Sequence, residues 1–281
     1  MTKNILNLFK VSRKNTIKSF TNKEKMANII DNISSQLSTH CLKTHHKAIN
    51  ELLDNINKGN DMSDLYLNVL KISDTRDHIL KSKINYYLAM NAKNPNLLML
   101  TVNTLLKDLA DPKKELRMLA IDFINKIPYA DEYFLKIFIQ ILKKGDSDEQ
   151  KMIISILGKF FLKQEWVEKY ELVSLLREYA LGIDNFEALK TTYNIIDACK
   201  ILEINEIFQL LETKRTAYDS KLILLCIMKK IIRSNMIQET NQLKRAENIA
   251  LSLVNSVDMK ICYMASKVLM EITKTHSQFI F

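Results

Sequence analysis

Glycine and proline are almost missing from this chain: 4 and 3 in 281 residues. Turn-rich β architectures need many such breakers, so their scarcity points to an all-α protein. Gly59, Gly145, Gly158 and Gly182 stand isolated. A phosphate-cradling loop needs clustered glycines, so a Rossmann or P-loop site is not expected. Long apolar runs are lacking too. The longest, "LILLCIM" (Leu222–Met228), falls far short of the roughly 20 residues of a membrane span. The four cysteines, Cys41, Cys199, Cys226 and Cys262, lie far apart with no CxxC pair. Three sit in apolar helical patterns, where free cysteine packs as a small hydrophobe. That usage fits a reducing compartment and hence a cytosolic protein.

What is present is apolar and basic. Hydrophobic residues make up 47% of the chain, enough for a large core, and the net charge is +9. Nine Lys/Arg in residues 1–50 face only Glu24 and Asp31, so this end carries +7 of the +9. Residues 1–20 are free of acids and read as a basic tail, with 21–281 as the folded part. A basic end on a neutral body suits an anionic partner surface, membrane or nucleic acid; the plainer reading is a solvated tail. A mitochondrial presequence is usually richer in arginine than this segment, which has only Arg13.

The body is periodic. Leu116, Leu119, Ala120, Phe123, Ile124 and Ile127 mark one face of a 3.6-residue helix. Met152, Ile153, Ile156, Leu157, Phe160 and Phe161 repeat the pattern, as do Ile261, Met264, Ala265, Val268, Leu269 and Ile272. Asp111-Pro112 reads as a stop followed by a new start, with Asp as cap and Pro in the first turn. Asp74, Asp111, Asp146, Asp184, Asp219 and Asp258 recur near such turns at separations of 37, 35, 38, 35 and 39. One helical hairpin per 35–39 residues is the mark of an α-solenoid of HEAT or armadillo type, with about seven repeats. A non-repetitive bundle is the alternative. Helices are expected over 24–38, 43–57, 62–71, 76–92, 96–110, 113–127, 130–144, 148–162, 168–181, 185–201, 204–212, 217–233, 240–255 and 258–274.

No catalytic set emerges. His40, Cys41, His45 and His46 offer metal-ligand atoms but lack a second cluster, so a surface patch is expected. A Cys–His pair would require His78 or His276 to approach a helix-buried thiol, and such thiols are usually inert. Asp108 and Asp111 read as a helix end and a cap. Trp166, Tyr86, Tyr87, Phe160 and Phe161 stand at helical spacing and read as core. Neither cofactor nor resident metal is expected.

The stretch Gly59–Ile127 resembles the N-terminal trunk of adaptins, the large subunits of clathrin-adaptor complexes. "GNDMSDLY" is similar to the family's short turn and helix, and "KINYYLAMNAK" to its Leu/Tyr-rich helix. Asn103, Lys107-Asp108, Asp111-Pro112 and Arg117 match its strongest signature, and "ASKVLMEITK" looks like a later trunk segment. The Asp-Pro and the following Arg point to the β-type large subunit; coatomer large subunits are related. The resemblance spans roughly residues 35–275.

It implies a non-enzymatic coat subunit that scaffolds a medium chain, a small chain and the second large chain. Such a complex selects cargo in vesicle transport, peripheral to Golgi, endosomal or plasma membrane. It also implies contact between an Arf-type GTPase and the early trunk helices, at about Tyr86, Leu100 and Asn103. For anionic membrane the expected contacts are Lys10, Arg13, Lys14, Lys18, Lys43 and Lys47. The match departs at "CLKTHHKAINE", where Cys41, Leu42, Thr44 and Glu51 replace lysines common in the family. The basic stretch from Lys3 to Lys25 is then the alternative source of cations. The chain is about half a full adaptin trunk, with no hinge, clathrin box or appendage visible. Truncation would leave an apolar face bare around "YMASKVLMEI". A generic HEAT-type scaffold, including a nucleic-acid-associated one, is the second reading, and an enzyme the third.

Overall fold

A computed structural model describes residues 24–92, 95–127, 132–182, 185–213, 215–234, 236, 237 and 239–278. Among these, every regular element is helical. They fall into two compact units, Met1–Tyr129 and Ala130–Phe281. The first holds α1 (24–37), α2 (Leu42–Asn57), a 3₁₀ turn (Ser63–Leu65) leading into α3 (Tyr66–Lys71), α4 (His78–Met90), α5 (Pro95–Leu109) and α6 (Lys114–Lys126). The second holds α7 (Glu132–Lys144), α8 (Ser147–Leu157) with a 3₁₀ extension (Gly158–Leu162), α9 (Gln164–Lys169), α10 (Leu172–Leu181), α11 (Phe186–Ile195), α12 (Ile204–Glu212), α13 (Tyr218–Arg233), α14 (Thr240–Val254) and α15 (Met259–Gln278). In chain order these elements give seven hairpins, three in the first unit and four in the second. The protein is a helical-repeat protein, as the periodicity predicts.

The helix starts follow local chemistry, but the recurrent aspartates share no single role. Asp146 closes a capping box with Glu149, its carboxylate accepting from the Asp148 and Glu149 amides. Asp258 accepts from the amides of Lys260 and Ile261 at the start of α15. Asp111, expected as a cap, instead accepts from the Lys113 N–H at 2.8 Å in the preceding turn. Pro112 therefore lies outside the helix, which begins at Lys114 behind Lys113. Arg117 fastens this turn, its guanidinium donating to the carbonyls of Asp111 and Pro112. Asp74 sits in the turn after α3, and the cap of α4 is Asp77, which accepts from Leu80 N–H. Asp219 is already inside α13, and Asp184 lies outside the described residues. At the end of α2, Gly59 takes φ +85°, the left-handed conformation that closes a helix C-terminus with little strain only in glycine.

Three expectations change. The 148–162 helix tightens to 3₁₀ geometry at Gly158. The 185–201 helix ends at Ile195. The third is an extra helix, α9, which buries Trp166 and Val167 and turns into α10 through Glu171 at φ 49°. Trp166 packs at a tilt against Phe160, which meets Phe138 edge-on, both at 6.0 Å between centroids. Tyr87, Trp166, Phe160 and Phe161 are core, but Tyr86 is not. Adjacent helical residues point about 100° apart, so two neighbouring tyrosines cannot share one inward direction. Tyr87 takes it and donates to the Met62 carbonyl at 2.7 Å.

Within each unit, neighbouring repeats are joined by side-chain bonds spanning one repeat. In the first, Asn68 donates to Ser34 (34 residues apart), Lys83 to Asn50 (33) and Asn85 to the Leu119 carbonyl (34). In the second, Tyr179 donates to the Leu142 carbonyl (37), Thr191 to the Ile154 carbonyl (37), Ser220 to Asn185 (35) and Tyr218 to Asp258 (40). Ion pairs follow the same interval: Lys169–Glu132 at 2.6 Å and Arg245–Glu212 at 2.8 Å. The second helices of successive hairpins, α8, α11, α13 and α15, pack in a row, as do α2, α4 and α6 in the first unit.

Among the described residues of the first unit, one charged side chain is almost wholly inside. Lys81 on α4 is 1% exposed and lies 2.6 Å from Asp108 on α5, while its ammonium donates to the Ser73 carbonyl at 2.5 Å. Asp108, expected as a helix-end residue, is thus the counter-ion of a buried lysine. Burial holds its carboxyl above the usual carboxylate range, and the Lys81 ammonium offsets only part of that rise. The pair ties α4, α5 and the turn after α3 together.

Removing one partner leaves the other charge buried alone. Lys81→Ala or Asp108→Ala should each cost about 3–5 kcal/mol in urea unfolding, and Lys81→Met with Asp108→Leu should recover most of that. At Glu132, hydrogen bonds from Lys169 and then Tyr170 hold the carboxyl down to about 2. The folded value lies below the unfolded one, about 4.3. Its stabilising effect is therefore present above that pH and lost as pH falls toward 2. Glu132→Gln should flatten that part of the acid-denaturation curve, read by circular dichroism.

Candidate partner-binding surface

The side chains singled out for partner contact can be followed element by element. Tyr86 lies on the outward face of α4, 47% exposed, and shares it with Ile79 and Met90, also exposed. These three occupy positions i, i+7 and i+11, one side of a helix whose other side buries Leu80, Ile84, Tyr87 and Leu88. Leu100 on α5 is 50% exposed and Asn103, one turn on, is exposed too, so neither belongs to the core. Met99, adjacent to Leu100, is more exposed still, and sequence reasoning passed over it. A methionine in an apolar helix reads as core, and only the phase of α5 shows that it points out.

Two shallow clefts flank the outward face of α4. One, of about 490 Å³, is lined by Ile79, Ser82 and Lys83 of α4 and by Glu115, Met118 and Leu119 of α6. The other, of about 460 Å³, lies between Asp64, Leu67, Met90 and Leu97. Their walls are mostly exposed apolar atoms with scattered ionisable groups, His78, Lys83 and Glu115 in the first and Asp64 in the second. This shape takes a protein side chain better than it takes a small substrate.

The cationic residues divide. Lys43 and Lys47 are both exposed on α2, one turn apart. Lys47 borders a depression of about 630 Å³ together with Glu51, Asp54 and Lys58, so the local field is mixed in sign. Lys10, Arg13, Lys14 and Lys18 lie outside the described residues. Lys107 is exposed at the end of α5.

The histidine-rich start of α2 is built from divergent contacts. The His45 ring bonds the Thr39 carbonyl at 2.6 Å, whereas His46 approaches the Asp77 carboxylate at 3.4 Å. Among the described residues, no three His, Cys, Asp or Glu side chains gather as metal ligands. Burial raises the thiols of Cys199 and Cys226, away from nucleophile character. The four cysteines are free thiols, and no described helix is long and apolar enough to cross a membrane.

No family model matches the chain. Two curated proteins are similar over part of it. The AP-4 complex subunit beta-1 of Mus musculus is 28% identical over 117 residues, which is 41% of this chain and 16% of that protein. The AP-1 complex subunit beta of Dictyostelium discoideum is 27% identical over 143 residues, 50% of this chain and 15% of that protein. The matched stretches are thus about a sixth of the relatives' lengths. Among solved structures, an archaeal HEAT-like repeats protein from Thermococcus onnurineus covers 88% of this chain and 97% of its own, with TM-score 0.54 and 14% identity. An engineered protein covers 87% of this chain and 68% of its own, with TM-score 0.51 and 14% identity. The chain is therefore a HEAT-like helical-repeat protein with distant similarity to the beta subunits of two adaptor-type complexes, in line with the adaptin-trunk resemblance.

Proposed function

We propose that this chain is a non-enzymatic, β-type large-subunit scaffold of a vesicle-coat adaptor complex. The observation that carries it is the similarity to beta subunits of two different AP complexes, set on a repeat fold built for long contact surfaces. In this reading the repeats hold a medium chain, a small chain and the second large chain, and the assembly selects cargo in vesicle transport. An Arf-type GTPase docks on the early helices through Tyr86, Leu100 and Asn103. Their exposure beside the apolar residues Ile79, Met90 and Met99 supports that assignment. Attachment to anionic membrane is peripheral and electrostatic. Lys10, Arg13, Lys14 and Lys18 supply most of it, at about 1 kcal/mol per cation near the surface. Lys43 and Lys47 contribute less, because Glu51 and Asp54 adjoin Lys47.

Affinity purification with mass spectrometry tests the complex. Medium and small adaptin chains should co-purify in stoichiometric amounts. Nucleic acid with its processing factors in their place would favour a different HEAT-type scaffold and overturn the proposal. For the GTPase surface, Tyr86→Glu with Leu100→Glu should weaken GTP-dependent capture about tenfold or more with an unchanged melting curve. Co-sedimentation with anionic vesicles should fall with added salt and on deletion of residues 1–20.

A further inference from the structure

The outward face of α13 gathers more cations than the fold employs. Inward, Leu224, Leu225, Ile227, Met228, Ile231 and Ile232 are buried. The helix packs against α11 and against α15, so both neighbouring repeats are in place and the side left open is one that no repeat covers. In the last two turns stand Lys229, Lys230 and Arg233, none of them buried. Cations suit a helix C-terminus through its dipole, which accounts for some of these but not for what the adjoining helix adds. Lys267 of α15 stands 37 residues after Lys230, at the same position one repeat on. That interval has a counterpart in space, because Lys230 donates at 3.4 Å to the carbonyl of Tyr193 on α11, 37 residues before it.

The acids nearby are engaged. Asp197 pairs with Lys230 at 2.8 Å, and Glu271 of α15 pairs with Lys274 at 3.4 Å. Asp219, on α13 itself, lies in the first turn, about 15 Å of helix from Lys229. Lys267 lies over the Tyr263 ring at 5.2 Å, a contact that leaves its charge unneutralised. Among the described residues, Lys229, Arg233 and Lys267 pair with no carboxylate.

The number and placement of these cations decide between occupants. Three spare charges are few for a nucleic acid or an anionic bilayer, which bind through many dispersed contacts. Tyr193, the exposed ring on the α11 side, has the Lys230 ammonium 5.0 Å from its centroid, so it is no open platform for a base. A second copy meeting this face with its own would oppose like charges. Packed helices lie about 8–10 Å apart, and extended backbone rises about 3.3 Å per residue. Carboxylates three residues apart on an extended chain therefore match the step from Lys229 and Arg233 to Lys267. We infer that the outward face of α13, with Lys267 of the adjoining α15, docks an extended acidic segment of a partner protein that carries a carboxylate at every third residue. This inference does not depend on the adaptor-complex reading.

The probe is a labelled, unstructured peptide with glutamate at every third residue and serine and glycine between. Its controls are a peptide of the same composition with the glutamates clustered at one end, and a twin with lysine in their place. Fluorescence anisotropy with the full chain at low salt should rank the spaced glutamate peptide about fivefold or more above the clustered one, with no binding of the lysine twin. Added salt should weaken that binding. Lys229→Glu with Arg233→Glu should weaken it about tenfold or more, and Lys267→Glu about fivefold, with unchanged melting curves. Lys143→Glu with Lys144→Glu makes the same change in net charge at the exposed end of α7 and should leave binding unaltered. Equal binding of the two glutamate peptides, binding of neither, or equal loss in the α7 variant would overturn the inference. So would tighter capture of single-stranded RNA or of phosphatidylserine vesicles that Lys229→Glu with Arg233→Glu abolishes, or self-association in sedimentation lost in the same variant.

Discussion

Everything in this chain depends on one constraint: a helical hairpin of about 37 residues cannot satisfy itself. Two short amphipathic helices bury one face against each other and leave a second face bare, so each needs a neighbour. The side-chain bonds show how that need is met inside each unit. Thr191 reaches the Ile154 carbonyl, Tyr179 reaches the Leu142 carbonyl and Asn85 reaches the Leu119 carbonyl, each across one repeat. Carbonyls near helix ends lack intrahelical partners, and mid-helix ones have a spare lone pair. A donor one repeat away reads both the position and the phase of its neighbour. Apolar stripes bring hairpins together with little directional preference, and these bonds set the register.

The buried ion pair adds an energetic asymmetry to the first unit. Lys81 shares a face with Ile84, Asn85 and Leu88, the place where a core hydrophobe would normally stand. Its ammonium is held by Asp108 and by the Ser73 carbonyl, so the group is satisfied only when three separate segments are together. Such a pair does little for net stability compared with a hydrophobe of equal volume. It does penalise any arrangement in which one partner is missing. The Asp108 that seemed a routine helix-end residue is part of this arrangement. That is why the family-like Lys107-Asp108 pair splits in the fold: Lys107 faces solvent and Asp108 faces the core.

Legibility followed the strength of the period. α6, α8 and α15 are readable because their apolar residues recur at three- and four-residue steps with few exceptions. α9 is not: six residues with one Trp-Val pair carry no period, and the helix is fixed by Trp166 packing on Phe160, which no local pattern encodes. The aspartate markers lie near the turns, yet Asp111, read as a cap, bonds the Lys113 N–H within the turn instead. Lys81 was hidden by its type, since pattern reading counts lysine as solvent-facing. Its i+3 and i+7 neighbours, Ile84 and Leu88, were the available signal. For the candidate surface, the resemblance supplied Tyr86, Leu100 and Asn103, and phase alone supplied Met99. Composition could have supplied none of them.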